Sequence, residues 1–316
     1  MLGDWMEREI REQPSILNRS ATTYESNLKS FFENRSFDIV LLAARGSSDH
    51  AAQFARYLIE IHLGIPVSLA APSVLTRYGT RVRYKNALAV GISQSGSAPD
   101  VSEMLAMMRE EGHATLAITN TEGSRLTKEA EFSIMLGAGK ENSVAATKTY
   151  SASLLALYQL VRVLGGELPA PEGRLPSDNW VNEALNAAQG FSGPLLRSTP
   201  TFSLARGSSF CTALETALKL MECALLPCKA YSTADFEHGP KALAGHGSAA
   251  IVYGEAAQGL ADQGCRILQA PASQAPDALK PIWDIIFGQW LALCAARAHG
   301  LNPDKPDHIQ KVTETL

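Results

Sequence analysis

The sequence predicts an α/β chain of two tandem subdomains, each a doubly wound parallel sheet with helices on its faces. Three observations carry this. Apolar segments of strand length alternate with helix-length segments, the succession that builds a parallel sheet with helical crossovers. The pentapeptide Ala44-Arg45-Gly46-Ser47-Ser48 returns as Ala205-Arg206-Gly207-Ser208-Ser209, each time after an apolar strand and before an Ala-rich helix. Five residues are few enough to recur by chance, but the identical setting favours an internal duplication. Finally, 316 residues with 46% apolar and 7% aromatic content and 24 glycines exceed the usual single domain and read as α/β.

The elements follow in order. Residues 1–34 read as helical turns broken at Pro14. From Phe37 an apolar strand, DIVLLAA, runs into Arg45-Gly46-Ser47-Ser48. An amphipathic helix follows, with Ala51, Ala52, Phe54, Ala55 and Leu58 on its apolar side. The pattern recurs as AVGIS before Gln94-Ser95-Gly96, a helix near Asp100 to Glu111, then TLAIT, FSIML and a long helix from about Ala145 to Leu164. Residues 35–166 are thus a first subdomain. GGELPAPEGRLPSD breaks the periodicity and sets a linker at 167–179, and residues 180–316 form the second subdomain.

Charge and cysteine usage exclude several classes. The net charge of −4 is spread along the chain, which argues against nucleic acid as a partner. The five cysteines are confined to the last third and never spaced as CxxC, so they read as reduced, mostly buried thiols. The start, MLGDWMEREIREQP, lacks the apolar core of a signal peptide, and the apolar stretch around Ile285 to Ala298 is too short and interrupted to span a bilayer. The expectation is a cytoplasmic protein with no membrane partner.

Several residues stand where chemistry is possible. Ser93-Gln94-Ser95-Gly96-Ser97 joins a buried strand to a helix with Pro99 in its first turn. Helix-start amides and serine hydroxyls there suit a phosphate. An ordinary strand–helix turn prefers the same residues, so the loop alone leaves both readings open. Ser47 and Ser48 occupy the analogous turn after the first strand, as Ser208 and Ser209 do in the second half. No second-half counterpart of the 93–97 loop exists, since AAIVYGE ends in Gly254-Glu255, and one phosphate pocket per chain is expected.

Glu215, Lys219 and Glu222 share a helical stripe, and spacing alone reads it as a solvated face with an i,i+4 pair. His238, in Asp235-Phe236-Glu237-His238-Gly239-Pro240, is a loop imidazole, a group of the kind suited to proton transfer. Most such histidines are incidental. Lys311 lies in a polar tail where fraying is the ordinary expectation. The seven histidines form no metal signature.

Together these residues resemble the sugar-isomerase (SIS) half of glutamine-fructose-6-phosphate aminotransferase, and stand-alone glucosamine-6-phosphate deaminase and phosphosugar isomerase relatives. The likeness rests on Glu12-Gln13-Pro14, ARGSSDH, SQSGSAPD, Ser143-Val144-Ala145-Ala146-Thr147-Lys148, LETALKLMECA, AYSTADFEHGP and Lys311-Val312-Thr313, in order along nearly the whole chain. It implies two tandem SIS subdomains of flavodoxin-like, doubly wound topology. It implies phosphate binding by Ser93, Gln94 and Ser95, with Ser47, Ser48 and Ser97 beside them, and Val144 backbone lining the sugar. Glu222 would move the proton between C1 and C2, with Lys219 and Glu215 of the same motif among the binding residues. His238 would assist ring opening from the neighbouring subunit of a homodimer, and Lys311 would form an imine.

No cofactor or metal is implied. Two departures stand out: Ala98 takes the place of a family threonine, and no N-terminal cysteine nucleophile for glutamine precedes Cys211. The expected reaction is therefore ammonia-releasing, from glucosamine 6-phosphate to fructose 6-phosphate. A plain aldose–ketose isomerase, a fructosamine-6-phosphate deglycase or a non-catalytic sugar-phosphate sensor are the alternatives.

Overall fold

The computed structural model describes residues 1–307 and 309–311. These fall into two units, one holding Ser15–Lys140 and Thr149–Gly173, the other Met1–Pro14, Glu141–Lys148 and Arg174–Lys311. The element order is α1 (Asp4–Phe32), β1 (Ile39–Ala43), α2 (Ser47–His62), β2 (Val67–Leu69), α3 (Ser73–Thr76), β3 (Ala87–Ile92), α4 (Pro99–Glu110), β4 (Ala114–Thr119), α5 (Arg125–Glu129), β5 (Phe132–Met135) and α6 (Lys148–Val163). The chain continues through α7 (Asp178–Leu196), β6 (Thr201–Ala205), α8 (Phe210–Ala224), β7 (Cys228–Ser232), α9 (Thr233–Phe236), β8 (Ala249–Val252), β9 (Arg266–Gln269) and α10 (Lys280–Ala298).

Pro14 does not break α1, contrary to the sequence expectation. A proline lacks the N–H that would serve the carbonyl four residues back. Here Gln13 Nε2 donates to the Ile10 carbonyl at 3.1 Å, which replaces the missing bond and lets the helix run on.

The first sheet has the order β2-β1-β3-β4-β5, all parallel. β1, β3 and β4 are buried almost throughout, which is why they read as unbroken apolar runs. Leu41, Ala43, Ala87, Ala89 and Ala117 pack against Val101, Leu105 and Met108 of α4. At Gly91 a side chain would meet Leu105 Cδ1 at 2.2 Å, so a glycine there lets α4 close onto β3.

The second sheet, β7-β6-β8-β9, is also all parallel. Its order repeats the first four strands of the first sheet, and both copies of ARGSS follow the strand at the switch in strand order. Gly46 (φ 56°) and Gly207 (φ 63°) both take a positive φ, which favours glycine, so the duplication extends to this position of the turn. Ala205, Cys228, Ala230, Ala249 and Ile251 cluster with α8 and α10, whereas Phe202, Leu204, Ala250 and Val252 cluster with Phe236 of α9. Alternate strand residues thus serve opposite faces.

Helix α10 is buried nearly all round. At Gly288 a Cβ would lie 2.2 Å from Thr216 Oγ1, which marks how closely α10 approaches α8. No helix of the described residues is long and apolar enough to cross a membrane. The five cysteines are free thiols, four of them buried.

Candidate active site

In the first unit the strand register sets the phosphate-loop candidates side by side. Ala43 at the end of β1 pairs with Gly91 near the end of β3, so the 44–48 and 93–97 turns leave adjacent strand ends. In a sheet of this order that is the switch point, where open α/β sheets take ligands. Gly96 (φ +63°) lies so close to Ser124 that a Cβ would stand 2.1 Å from its Oγ, and only glycine fits. The Gln94 carbonyl accepts from Asn120 N at 3.0 Å and Thr119 Oγ1 at 3.2 Å, which fixes the loop to β4's end.

Ala98 caps α4 without a side-chain hydrogen bond. Ser97 Oγ donates to the Ser95 carbonyl at 3.4 Å. Arg45, which the sequence reading did not single out, joins the two turns: its Nε donates to Asp100 Oδ2 at 2.6 Å. Asp100 is buried and also accepts from its neighbour Val101 N, while Arg45 is half exposed, a cation at the mouth of the cradle. The signal for it was the pairing of ARGSS with SQSGSAPD.

In the second unit the Glu215-Lys219-Glu222 stripe is not a solvated face. Side-chain exposure is 0% for Glu215, 1% for Lys219 and 24% for Glu222. Helix spacing alone cannot tell which face a neighbouring helix covers, and α8 is covered by α10 and the sheet. Lys219 Nζ reaches Glu215 Oε1 at 3.2 Å and Glu222 Oε2 at 2.5 Å. Burial disfavours its charge, yet the two carboxylates outweigh burial and raise its pKa, so it stays an ammonium.

Glu222 is therefore the carboxylate of the pair with open surface, and Glu215 is the buried counter-ion. Glu222 also stands in the last turn of α8, at the negative end of the helix dipole, a placement that costs roughly 0.3–1 kcal/mol and is offset by Lys219.

Among the described residues of the tail, Asp304 and Lys311 are both tied to other parts of their unit. Asp304 accepts from Trp5 N and Met6 N at 2.9 Å each, capping α1. Lys311 Nζ donates to Glu141 Oε2 at 2.8 Å and to the Ser143 carbonyl at 2.6 Å. Val312 and Thr313 of the same motif lie outside the described residues. The loop that bears Val144 is held from several sides. Glu9 of α1 accepts from Asn142 N and from Ser143 N, Glu141 Oε1 accepts from Thr147 N at 3.0 Å, and Gln289 Nε2 donates to the Thr147 carbonyl at 3.2 Å. Burial, with the amide of Asn142 opposing and Glu141 adding, pushes the Glu9 carboxyl up to about 7.

His238 is exposed, after α9. α8, which bears Glu222, packs on one face of the second sheet, and Phe236, two residues before His238, packs on the other. Ser208 and Ser209 end the 3-10 turn that leads into α8.

Comparison with known proteins places these features. The SIS domain family matches residues 37–163. Glutamine–fructose-6-phosphate aminotransferase (isomerizing) of Methanothermobacter thermautotrophicus is 29% identical across 97% of this chain, which spans 57% of that relative's length. Among solved structures, glucosamine-6-phosphate deaminase from Thermotoga maritima superposes with TM-score 0.78 at 25% identity, covering 95% of this chain and 100% of that one. The C-terminal domain of glucosamine-fructose-6-phosphate aminotransferase from Francisella tularensis shares the fold, with TM-score 0.77 at 23% identity over 94% of this chain and 96% of that one. Residues 37–163 thus match the SIS domain, the second sheet repeats the strand order found there, and the chain resembles the aminotransferase relative along 97% of its own length.

Proposed function

We propose that the chain is a deaminating isomerase that converts glucosamine 6-phosphate to fructose 6-phosphate and ammonia by proton transfer between C1 and C2. The observation that carries this reading is Glu222, a carboxylate with open surface whose back is held by an ammonium buried between two acids. A base that must take a C2 proton and return it at C1 needs one face open and a fixed orientation. Lys219 supplies the orientation at 2.5 Å.

The cradle formed by Ser93, Gln94, Ser95, Ser47 and Ser48, with Arg45 at its mouth, suits the 6-phosphate through amides and hydroxyls. The sugar opens with help from His238. Glu222 then moves the C2 proton to C1, leaving a C2 imine. Transfer of that imine to Lys311 releases ammonia, and water releases the ketose. The chain spans the whole of a relative named as a glucosamine-6-phosphate deaminase, which favours this substrate over a plain aldose.

A homodimer with His238 supplied by the neighbouring copy completes the proposal. The packing of α8 and of Phe236, near His238, on opposite faces of the second sheet supports it.

The test is ammonia release from glucosamine 6-phosphate, run beside isomerisation of glucose 6-phosphate and cleavage of fructosyl-amino-acid 6-phosphates. Ammonia from the first alone is the expected result. Turnover confined to either of the others replaces the deaminase with an isomerase or a deglycase, and no turnover at all leaves a sensor. Glu222→Gln should lower kcat by about 100-fold or more while phosphosugar binding persists. Mixing inactive Glu222→Gln and His238→Ala chains should restore about a quarter of the activity if sites are shared between copies. A mixture as inactive as its parts would remove the shared site.

A further inference from the structure

We propose that Glu141 is the positioning residue of Lys311: it fixes the amine against the 142–147 loop and accepts the proton that the amine must lose before it attacks. The inference rests on the imine role assigned to Lys311 above. It deepens that role by naming the group that makes a lysine in a terminal tail usable.

Lys311 Nζ has two acceptors, Glu141 Oε2 at 2.8 Å and the Ser143 carbonyl at 2.6 Å. Both are themselves held. Glu141 is fully buried at its side chain, and its other oxygen accepts from Thr147 N at 3.0 Å and Thr147 Oγ1 at 3.3 Å. The Ser143 peptide is fixed from its other end, where its N–H donates to Glu9 Oε2 at 3.3 Å. Two carboxylates from separate parts of the sequence thus tie one short loop, and the lysine is tied to that loop. Ser143 Oγ is buried with no partner among the described residues, a polar opening in an otherwise satisfied loop.

The chemistry needs such a group. A lysine ammonium cannot attack the protonated C2 imine until it gives up a proton. The carboxylate in contact with it is Glu141, and proton transfer leaves a neutral amine and a neutral acid. The amine forms a bond to C2 to give a carbon bearing both nitrogens, a proton shifts between them, and the C2 bond to the substrate nitrogen breaks. That nitrogen departs as ammonium, taking the proton Glu141 held. Lys311 is left as a protonated imine facing a restored carboxylate. Water then adds at C2 and expels the lysine, giving the ketone. Charge and hydrogens balance with no other reactant.

The experiment compares wild type with Glu141→Gln and Glu141→Asp. Borohydride reduction with fructose 6-phosphate present, read by mass spectrometry, should attach the sugar to Lys311 in wild type and not in Glu141→Gln. Turnover should fall about 100-fold with KM within about threefold, and Glu141→Asp should recover about tenfold over Glu141→Gln. A second arm does not depend on turnover. Competitive acetylation of Lys311, referenced to the exposed Lys85, should change by about fivefold or more in Glu141→Gln because the amine has lost its partner. If wild type processes no sugar phosphate but acetylation shifts, the reaction reading fails and the Glu141–Lys311 link stands. Unchanged acetylation, or borohydride trapping and kcat retained within about twofold in Glu141→Gln, overturns the inference.

Discussion

Replacing Glu9 by glutamine should flatten the pH dependence of stability near neutrality. Glu9 is buried, 1% exposed, and its carboxyl is pushed up to about 7 from an ordinary value of 4.5. Burial raises it most. The Asn142 and Ser143 amides and Lys148 oppose, while Glu141 adds to burial. The folded chain therefore binds this proton more tightly than the unfolded chain. The resulting stabilisation is fully present below about pH 4.5 and is lost as pH rises through about 7. At about 1.4 kcal/mol per pH unit over that interval, the loss is on the order of 3 kcal/mol.

A glutamine at position 9 stays neutral and resembles the protonated acid. The variant should match wild type within about 1 kcal/mol near pH 5 and exceed it by about 1–3 kcal/mol near pH 8. Asp284, whose carboxyl burial also pushes up to about 7, titrates in the same window. It is present in both proteins and cancels in the difference. Urea midpoints followed by tryptophan fluorescence at several pH values give the two curves. Curves that run parallel within about 0.5 kcal/mol would refute the assignment of the shifted carboxyl to Glu9.

Two further outcomes follow from the same geometry. Lys219→Met leaves Glu215 a buried carboxylate without its cation and should cost about 3–5 kcal/mol in urea unfolding, most of it recovered in the Glu215→Gln, Lys219→Met double variant. A single-variant loss below about 1 kcal/mol would show that the pair is not desolvated in solution. Gly96→Ala drives a methyl into Ser124 Oγ at 2.1 Å and imposes a left-handed backbone on alanine. Calorimetric affinity for inorganic phosphate should drop by about tenfold or more, and equal affinity in both proteins would move the anion site elsewhere.

The sequence carried most of the architecture because parallel strands buried on both faces leave uninterrupted apolar runs. β1 and β5 lie within the segments read for them, and β3 and β4 overlap theirs, starting two residues and one residue earlier. β2 escaped because three residues after Pro66 are too few to show a pattern. Pro14 was misread because the compensation comes from a side chain, Gln13, that no propensity describes. The charged stripe on α8 was misread for a related reason: spacing gives a face, and only tertiary packing says what covers it. Family resemblance drew attention to Lys311, but neither Glu141 nor Glu9 was legible. Their partners lie more than a hundred residues away, and a single carboxylate in sequence does not show which amide or amine it will meet.

The proposed function gives the duplicated halves different chemical uses, and electrostatics supplies a reason. A sugar phosphate and a catalytic carboxylate are both anionic. At 4 Å and an effective dielectric of 20 they would repel by about 4 kcal/mol per pair of unit charges. Each therefore needs its own positive environment. In the first half that environment is the start of α4 with Arg45 nearby. In the second half it is Lys219, buried behind Glu222. Had both functions been kept on one copy of the ARGSS turn, the base and the phosphate would have competed for the same amides.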